Sequence, residues 1–158
     1  MKILIIYISI HHKNTERIAR VIGNILEAET AKLYEVDVNT ISKYDLIGFG
    51  SGIYFGMHHK NLLTFVDRLP EMKGKKAFIF STSGMKKMPF FHNFDNALEK
   101  RLLKKGFDVV GKFSCRGWDT AIPFRFFGGV SKNRPNKKDI KKAEDFANNL
   151  KRRFINEE

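Results

Sequence analysis

Three polar turns carry the residue types that could do chemistry in this chain: Ser9-Ile-His-His-Lys-Asn-Thr15, Ser51-Gly-Ile-Tyr-Phe-Gly56 and Ser81-Thr-Ser-Gly84. In the first, hydroxyl, amide and imidazole donors from Ser9, His11, Asn14 and Thr15 lie between an apolar run and an amphipathic one. A strand-to-helix turn there aims backbone N–H groups and the positive end of a helix dipole at one spot, a natural place for a phosphate. The plainer alternative is that Asn14 or Thr15 simply caps the helix. In the second turn, Gly50, Gly52 and Gly56 mark a loop that needs unusual backbone angles or close approach to a ligand.

Other chemistries fail on residue type. No Gly-x-x-x-x-Gly-Lys-Ser/Thr occurs, and after Gly48 and Gly50 the third glycine of a dinucleotide fingerprint is replaced by Ile53. A receiver domain needs carboxylates where Ser9, Ile10 and Ser51 stand. His11, His12, His58 and His59 form two adjacent pairs, but neighbouring residues diverge and no carboxylate or cysteine joins them, so no metal site is expected. No serine–histidine–aspartate arrangement can be inferred, and Ser51 and Ser83 read as ligand hydroxyls rather than nucleophiles.

Ile3 to Ile8 is a nearly unbroken β-branched run, which suits a central strand covered on both faces. From Ile18 the apolar residues switch to helical spacing through Val21, Ile22, Ile25 and Leu26. Further strands are expected at 31–38, 45–50, 76–83 and 107–114, and further helices at 58–69, about 91–105 and about 136–154, with Gly106 capping the penultimate helix. Five strands alternating with helices make an α/β fold: a five-stranded parallel sheet with helices on both faces. Ligands of such sheets sit at the carboxyl ends of the strands, and all three polar turns fall there. Residues 115–135, about twenty without periodicity, read as a lid, a binding loop or a loop packing its own aromatics.

At 158 residues the chain fits one domain, 1–158. The single cysteine, Cys115, excludes an internal disulfide, which makes the cytoplasm the expected compartment. No stretch reaches the length of a membrane span. The formal charge of +12 is uneven: residues 1–70 hold 8 Lys and Arg against 7 Asp and Glu, residues 71–158 hold 21 against 10. The basic residues are scattered and no nucleic-acid-binding motif accompanies them, so the expectation is an acidic protein partner or a solvated surface, not nucleic acid.

What remains is a monophosphate held with little charge, beside loops that could sandwich a flat ring. Over essentially its whole length the sequence resembles the flavodoxin family, through Ser9–Thr15 as phosphate loop, Ser51–Gly56 on one face of a flavin and Ser81–Gly84 on the other. The resemblance implies the strand order 2-1-3-4-5 and noncovalent FMN. Ser9, His11, Asn14 and Thr15, with the main-chain N–H groups of Ile10 and His12, would hold its phosphate. Gly52, Ile53, Tyr54, Phe55 and Gly56, entered through Ser51, would line the isoalloxazine. Thr82, Ser83 and Gly84 would meet its pyrimidine edge and other face, and Tyr54 or Trp118 would stack on it. Lys13 stands where the family's turn commonly has glycine. The implied function is that of a low-molecular-weight electron carrier. Ser51–Lys60 is also similar to the loop of flavodoxin-like protoporphyrinogen oxidases, which leaves an FMN-dependent oxidoreductase open, and a non-redox binding module is a third reading. The basic balance, with Lys86, Lys87, Arg116, Arg125, Lys132 and Arg134 on loops of the cofactor edge, implies an acidic redox partner.

Overall fold

A computed structural model describes residues 1–10, 12–84, 93–117 and 132–155. The apolar run at the N-terminus forms β1 (Ile3–Ile8), which passes through a polar turn into α1 (Asn14–Leu26). There follow β2 (Glu29–Lys32), β3 (Leu46–Tyr54), β4 (Met57–His58), α2 (Lys60–Asp67), β5 (Lys76–Ser83), α3 (Asn96–Lys104), β6 (Asp108–Arg116) and α4 (Lys137–Phe154). The long strands pair in parallel in the order β2-β1-β3-β5-β6. This is the expected order, once β4, a two-residue strand antiparallel to β3, is set aside.

The period-2 alternation of each strand sorts side chains into two apolar layers. Leu4, Ile6, Ile47, Phe49, Ala77 and Ile79 pack with α2, α3 and the segment after β2. Ile3, Ile5, Tyr7, Leu46, Phe78 and Phe80 pack with Ile18, Ala19 and Ile22 of α1 and Ala143, Ala147 and Leu150 of α4. On this second face β3 offers Gly48 and Gly50. A Cβ on Gly48 would lie 2.3 Å from the Phe78 ring, and one on Gly50 would lie 2.1 Å from the Phe80 ring. The two rings of β5 occupy the space that side chains on β3 would need.

The structure departs from expectation at three elements. The second strand ends at Lys32, not Val38, and the chain turns into short 3-10 segments at Leu33–Glu35 and Val38–Lys43. Carboxylates cause the bend. Glu35 accepts the Lys32 backbone N–H at 3.1 Å and Asp37 accepts that of Asn39 at 2.9 Å, while Leu33 and Ile41 are drawn into the core. The penultimate helix begins at Asn96, with Asp95 at its N-cap. The glycine-rich loop is largely strand: β3 runs on to Tyr54 and returns as β4 through Phe55-Gly56, whose φ angles of 51° and 77° are those of a two-residue hairpin turn. Of the three glycines read as a loop signal, only Gly56 has positive φ; Gly50 answers to the Phe80 ring and Gly52 to Tyr54.

Because Phe78 and Phe80 lie in the centre of the sheet, Gly50→Ala is expected to cost about 2–3 kcal/mol through overpacking, read as a lower midpoint in urea unfolding. Trimming the opposing ring, Gly50→Ala with Phe80→Leu, recovers part of that loss.

Candidate functional site

The carboxyl ends of β1, β3, β5 and β6 converge on a cleft lined by Ile10, Asn14, Thr15, Gly52, Ile53, Tyr54, Thr82, Ser83, Gly84 and Gly117. Nine of these are residues the sequence singled out; Gly117 is not. Its backbone N–H donates to the Ser83 carbonyl at 2.9 Å, and a Cβ there would meet the Asn14 amide nitrogen at 2.8 Å. The end of β6 thus closes against the start of α1.

The first turn is built by backbone, not by a capping side chain. His12 and Lys13 both adopt left-handed conformation, with φ of 53° and 52°, and Lys13, at the N-cap, supplies no side-chain hydrogen bond. Asn14 and Thr15 are instead the first two helical residues and are buried. The simple-cap reading fails for that reason. Lys13 occupies a conformation that favours glycine, while its side chain is exposed. Thr15 Oγ1 and Thr82 Oγ1 lie 2.9 Å apart and tie α1 to β5 across the floor. The Ser9 hydroxyl is shielded from solvent and has no hydrogen-bond partner among the described residues. A buried hydroxyl without a partner costs roughly 1–3 kcal/mol unless a ligand satisfies it. Ser9, the uncapped start of α1 and the hydroxyls around it suit an anionic oxygen group such as a phosphate.

The hairpin forms the facing wall. Tyr54 packs edge-on against His59, ring centroids 5.3 Å apart at 89°. Phe55 is fully exposed at the tip and nothing approaches the Cβ position of Gly56, so these two stand outside the cleft lining. His12 is exposed on the first turn. Ser51 lies beneath the wall, fully buried, with its hydroxyl engaged on all sides. It donates to the Gly52 carbonyl at 2.7 Å and accepts the His59 backbone N–H at 3.0 Å, with His58 Nδ1 at 2.8 Å. His58 Nε2 in turn lies 3.0 Å from Asp95 Oδ1, both side chains being wholly buried. A serine–histidine–aspartate row therefore exists, which sequence reading did not find. It is not a nucleophile arrangement, because the serine has no access to a substrate and the aspartate sits on the nitrogen remote from the main chain. His11 and Trp118 lie outside the described residues.

Among the described lining residues there is no Lys, Arg, His, Asp or Glu. Of the basic residues expected at this edge, Lys132 is exposed and Arg134 is spent on Asp139 at 2.8 Å. Arg116 reaches the Gly84 carbonyl at 3.5 Å and has a buried Nε without a partner among the described residues. Lys86, Lys87 and Arg125 lie outside the described residues. No three potential metal-binding side chains come together among the described residues. No described helix is long and apolar enough to cross a membrane.

His59 gives the hairpin a pH dependence. Its Nδ1 accepts the Asn61 N–H at 3.1 Å and so caps α2, and burial holds its pKa below the ordinary 6.5. The folded state binds the proton less readily than the unfolded one. The stabilising contribution is therefore complete above about pH 6.5 and is lost as pH falls through and below that value. Thermal midpoints measured from pH 8 to 5 are expected to fall further for the natural protein than for His59→Asn, which keeps a capping acceptor that does not titrate.

Comparison with known proteins agrees with this geometry. A family model described as a flavodoxin domain matches residues 4–117. An uncharacterized protein of Methanocaldococcus jannaschii is 50% identical over 151 residues, 95% of this chain and 98% of that protein. Oxidised flavodoxin 2 from Bacillus cereus superposes with a TM-score of 0.71 at 22% identity, covering 98% of this chain and 100% of the other. Rubredoxin oxygen:oxidoreductase from Desulfovibrio gigas gives a TM-score of 0.69 at 17% identity, over 96% of this chain but 35% of that larger one. At these identities the two structures speak for the fold alone. With the family model spanning residues 4–117 and the sheet order and cleft placed as described, the chain belongs to the flavodoxin-domain family.

Proposed function

We propose that this protein is an FMN-binding flavoprotein that acts as a small electron carrier for an acidic redox partner protein. One observation carries the reading: a cleft at the carboxyl edge of the sheet, walled by backbone, hydroxyls and Tyr54 at the uncapped start of α1, and next in the chain to its lining residue Ile10 the sheltered hydroxyl of Ser9, which has no partner among the described residues. These residues fit FMN. Ser9, Asn14 and Thr15 would hold the phosphate by hydrogen bonds at a positive dipole end. Gly52, Ile53 and Tyr54 would bound one face of the ring system and Thr82, Ser83 and Gly84 its edge. When bound, the flavin supplies reversible transfer of one or two electrons.

The carrier reading is favoured over a substrate-specific oxidoreductase by the lining itself. No carboxylate, imidazole or ammonium among the described lining residues is placed to move a substrate proton. Ile10 in the lining and Phe55 and Met57 on the adjoining hairpin are exposed apolar side chains, suited to brief contact with another protein. The formal charge of +12 supports an acidic partner through long-range steering.

The test is a titration of flavin-free protein with FMN and with riboflavin, followed by flavin fluorescence and visible absorbance. FMN is expected to bind at least about 100-fold more tightly, since two charge-assisted hydrogen bonds contribute about 1.5 kcal/mol each. Ser9→Ala is expected to weaken FMN about tenfold and leave riboflavin unchanged. Equal affinity for the two flavins, or no binding of either, overturns the reading. A loaded protein that is reoxidised by a small organic substrate with saturation would be an enzyme, not a carrier.

A further inference from the structure

Charge on the described surface is distributed unevenly along the strands. At the cleft end, Lys13, Arg17, Lys60, Lys132, Lys137 and Lys138 are exposed, and none of them forms an ion pair among the described residues. The described carboxylates of that end are engaged. Glu16 holds Arg20, Asp139 holds Arg134, Asp95 faces His58 and Glu99 holds Lys112, while Glu35 and Asp37 accept backbone N–H groups. At the opposite end Glu27, Asp45, Asp67, Glu71 and Asp108 are all exposed, and the first three face Lys151, Lys75 and Arg101. Positive charge without a counter-charge therefore gathers at the cleft end.

The same end carries a fully exposed phenyl ring, that of Phe55, at the tip of the β3–β4 hairpin. Its φ of 51° is left-handed, a conformation costly for a bulky residue and given in two-residue hairpin turns to Asn, Asp or Gly. Packing does not offset that cost, since the ring is exposed on all sides. Met57 on the same hairpin and Ile10 on the first turn are exposed as well. Lys60, the first residue of α2, follows the hairpin after His59, and Lys13 shares the first turn with Ile10. A residue held in a strained conformation without internal contacts points to a contact outside the chain.

We propose that the cleft end of this protein is a docking surface for an anionic lipid bilayer: the Phe55 ring enters the boundary between headgroups and acyl chains, and the cations around it lie on the headgroups. Apolar burial at the interface and attraction of cations to the negative surface potential add to one another. A ring that stands free on every side suits a medium that closes around it, whereas a protein partner would have to supply a pocket of matching depth. The pose needs neither a membrane-spanning helix nor a flavin, so it goes beyond the function proposed above and does not depend on it.

The test is co-sedimentation of the flavin-free full chain with vesicles at about 0.1 M salt. One set of vesicles is phosphatidylcholine alone, the other equal parts phosphatidylcholine and phosphatidylglycerol. Binding is expected to the anionic vesicles only. Phe55→Asn is expected to weaken it at least about tenfold, and Phe55→Trp to retain it. Lys13→Gln with Lys60→Gln is expected to weaken it about 25-fold, roughly fivefold per cation. Lys73→Gln with Lys104→Gln, which removes the same charge from the opposite end, is expected to change it less than about twofold, since screening shortens the reach of distant charges. Without vesicles, Phe55→Asn is expected to raise the thermal midpoint, because Asn fits the turn. Three results overturn the proposal: no binding to anionic vesicles, equal losses from the two lysine pairs, or unchanged binding by Phe55→Asn. A thermal midpoint lowered by Phe55→Asn would show that the ring serves the fold, and overturns it too. Capture by polyglutamate without vesicle binding would assign the surface to an acidic protein instead.

Discussion

The packing of Phe78 and Phe80 against Gly48 and Gly50 is the constraint on which the site depends. Interiors pack at nearly crystalline density, so rings that fill the space over one strand fix its neighbour's position to within tenths of an ångström. Here they lock β3 to β5 at the middle of the sheet. The Gly52–Thr82 pair that follows in the same register forms the base of the cleft. One layer further out, Thr15 binds Thr82, and α1 is brought to the same edge. The site is thus assembled by strand packing first and by polar contacts second.

A second feature is how little charge the cleft uses. The turn between β1 and α1 offers a helix start, a sheltered hydroxyl and two residues in left-handed conformation. Backbone dipoles held by a rigid sheet need no reorganisation when a ligand arrives, whereas lysine side chains would have to be ordered at an entropic cost. Among the described basic residues of the second half of the chain, none lines the cleft, and Arg134 and Lys112 are paired with Asp139 and Glu99.

Much of this was legible in the sequence, and the gaps have physical causes. Parallel strands buried on both faces read as apolar runs, so β1, β3 and β5 followed from pattern, while the sheet order came with the family resemblance. The three polar turns fell at one edge because right-handed crossovers leave them no alternative. The end of β2 was misplaced because Glu35 and Asp37 bend the chain through local side-chain contacts that periodicity does not register. Gly50, Gly52 and Gly56 looked like a loop signal, although the period of two through Gly48, Gly50 and Gly52 is itself a signal of a strand face receiving bulky neighbours. His58 paired with Asp95 could not be read at all, since 37 residues separate them and only the fold brings them together. Gly117, directly after Arg116 at the start of the aperiodic stretch, carries no side chain whose chemistry could have marked it.

The pairing of β6 with β5 shifts between Ala77 and Phe78, so that Ala77 faces Val109 while Phe78 faces Gly111. Val110 is the extra residue of a bulge. It changes the parity of the strand: Val109 points to the α2 and α3 layer, while Phe113 and Cys115 belong to the α1 and α4 layer. Everything downstream inherits that change, including Arg116 and the arrival of Gly117 at Asn14. Deleting a single residue near Val110 would leave β6 in place as a strand yet turn its last six residues inside out. The local length of β6 therefore acts as a chiral key, selecting which of the two faces of the sheet the end of the strand completes.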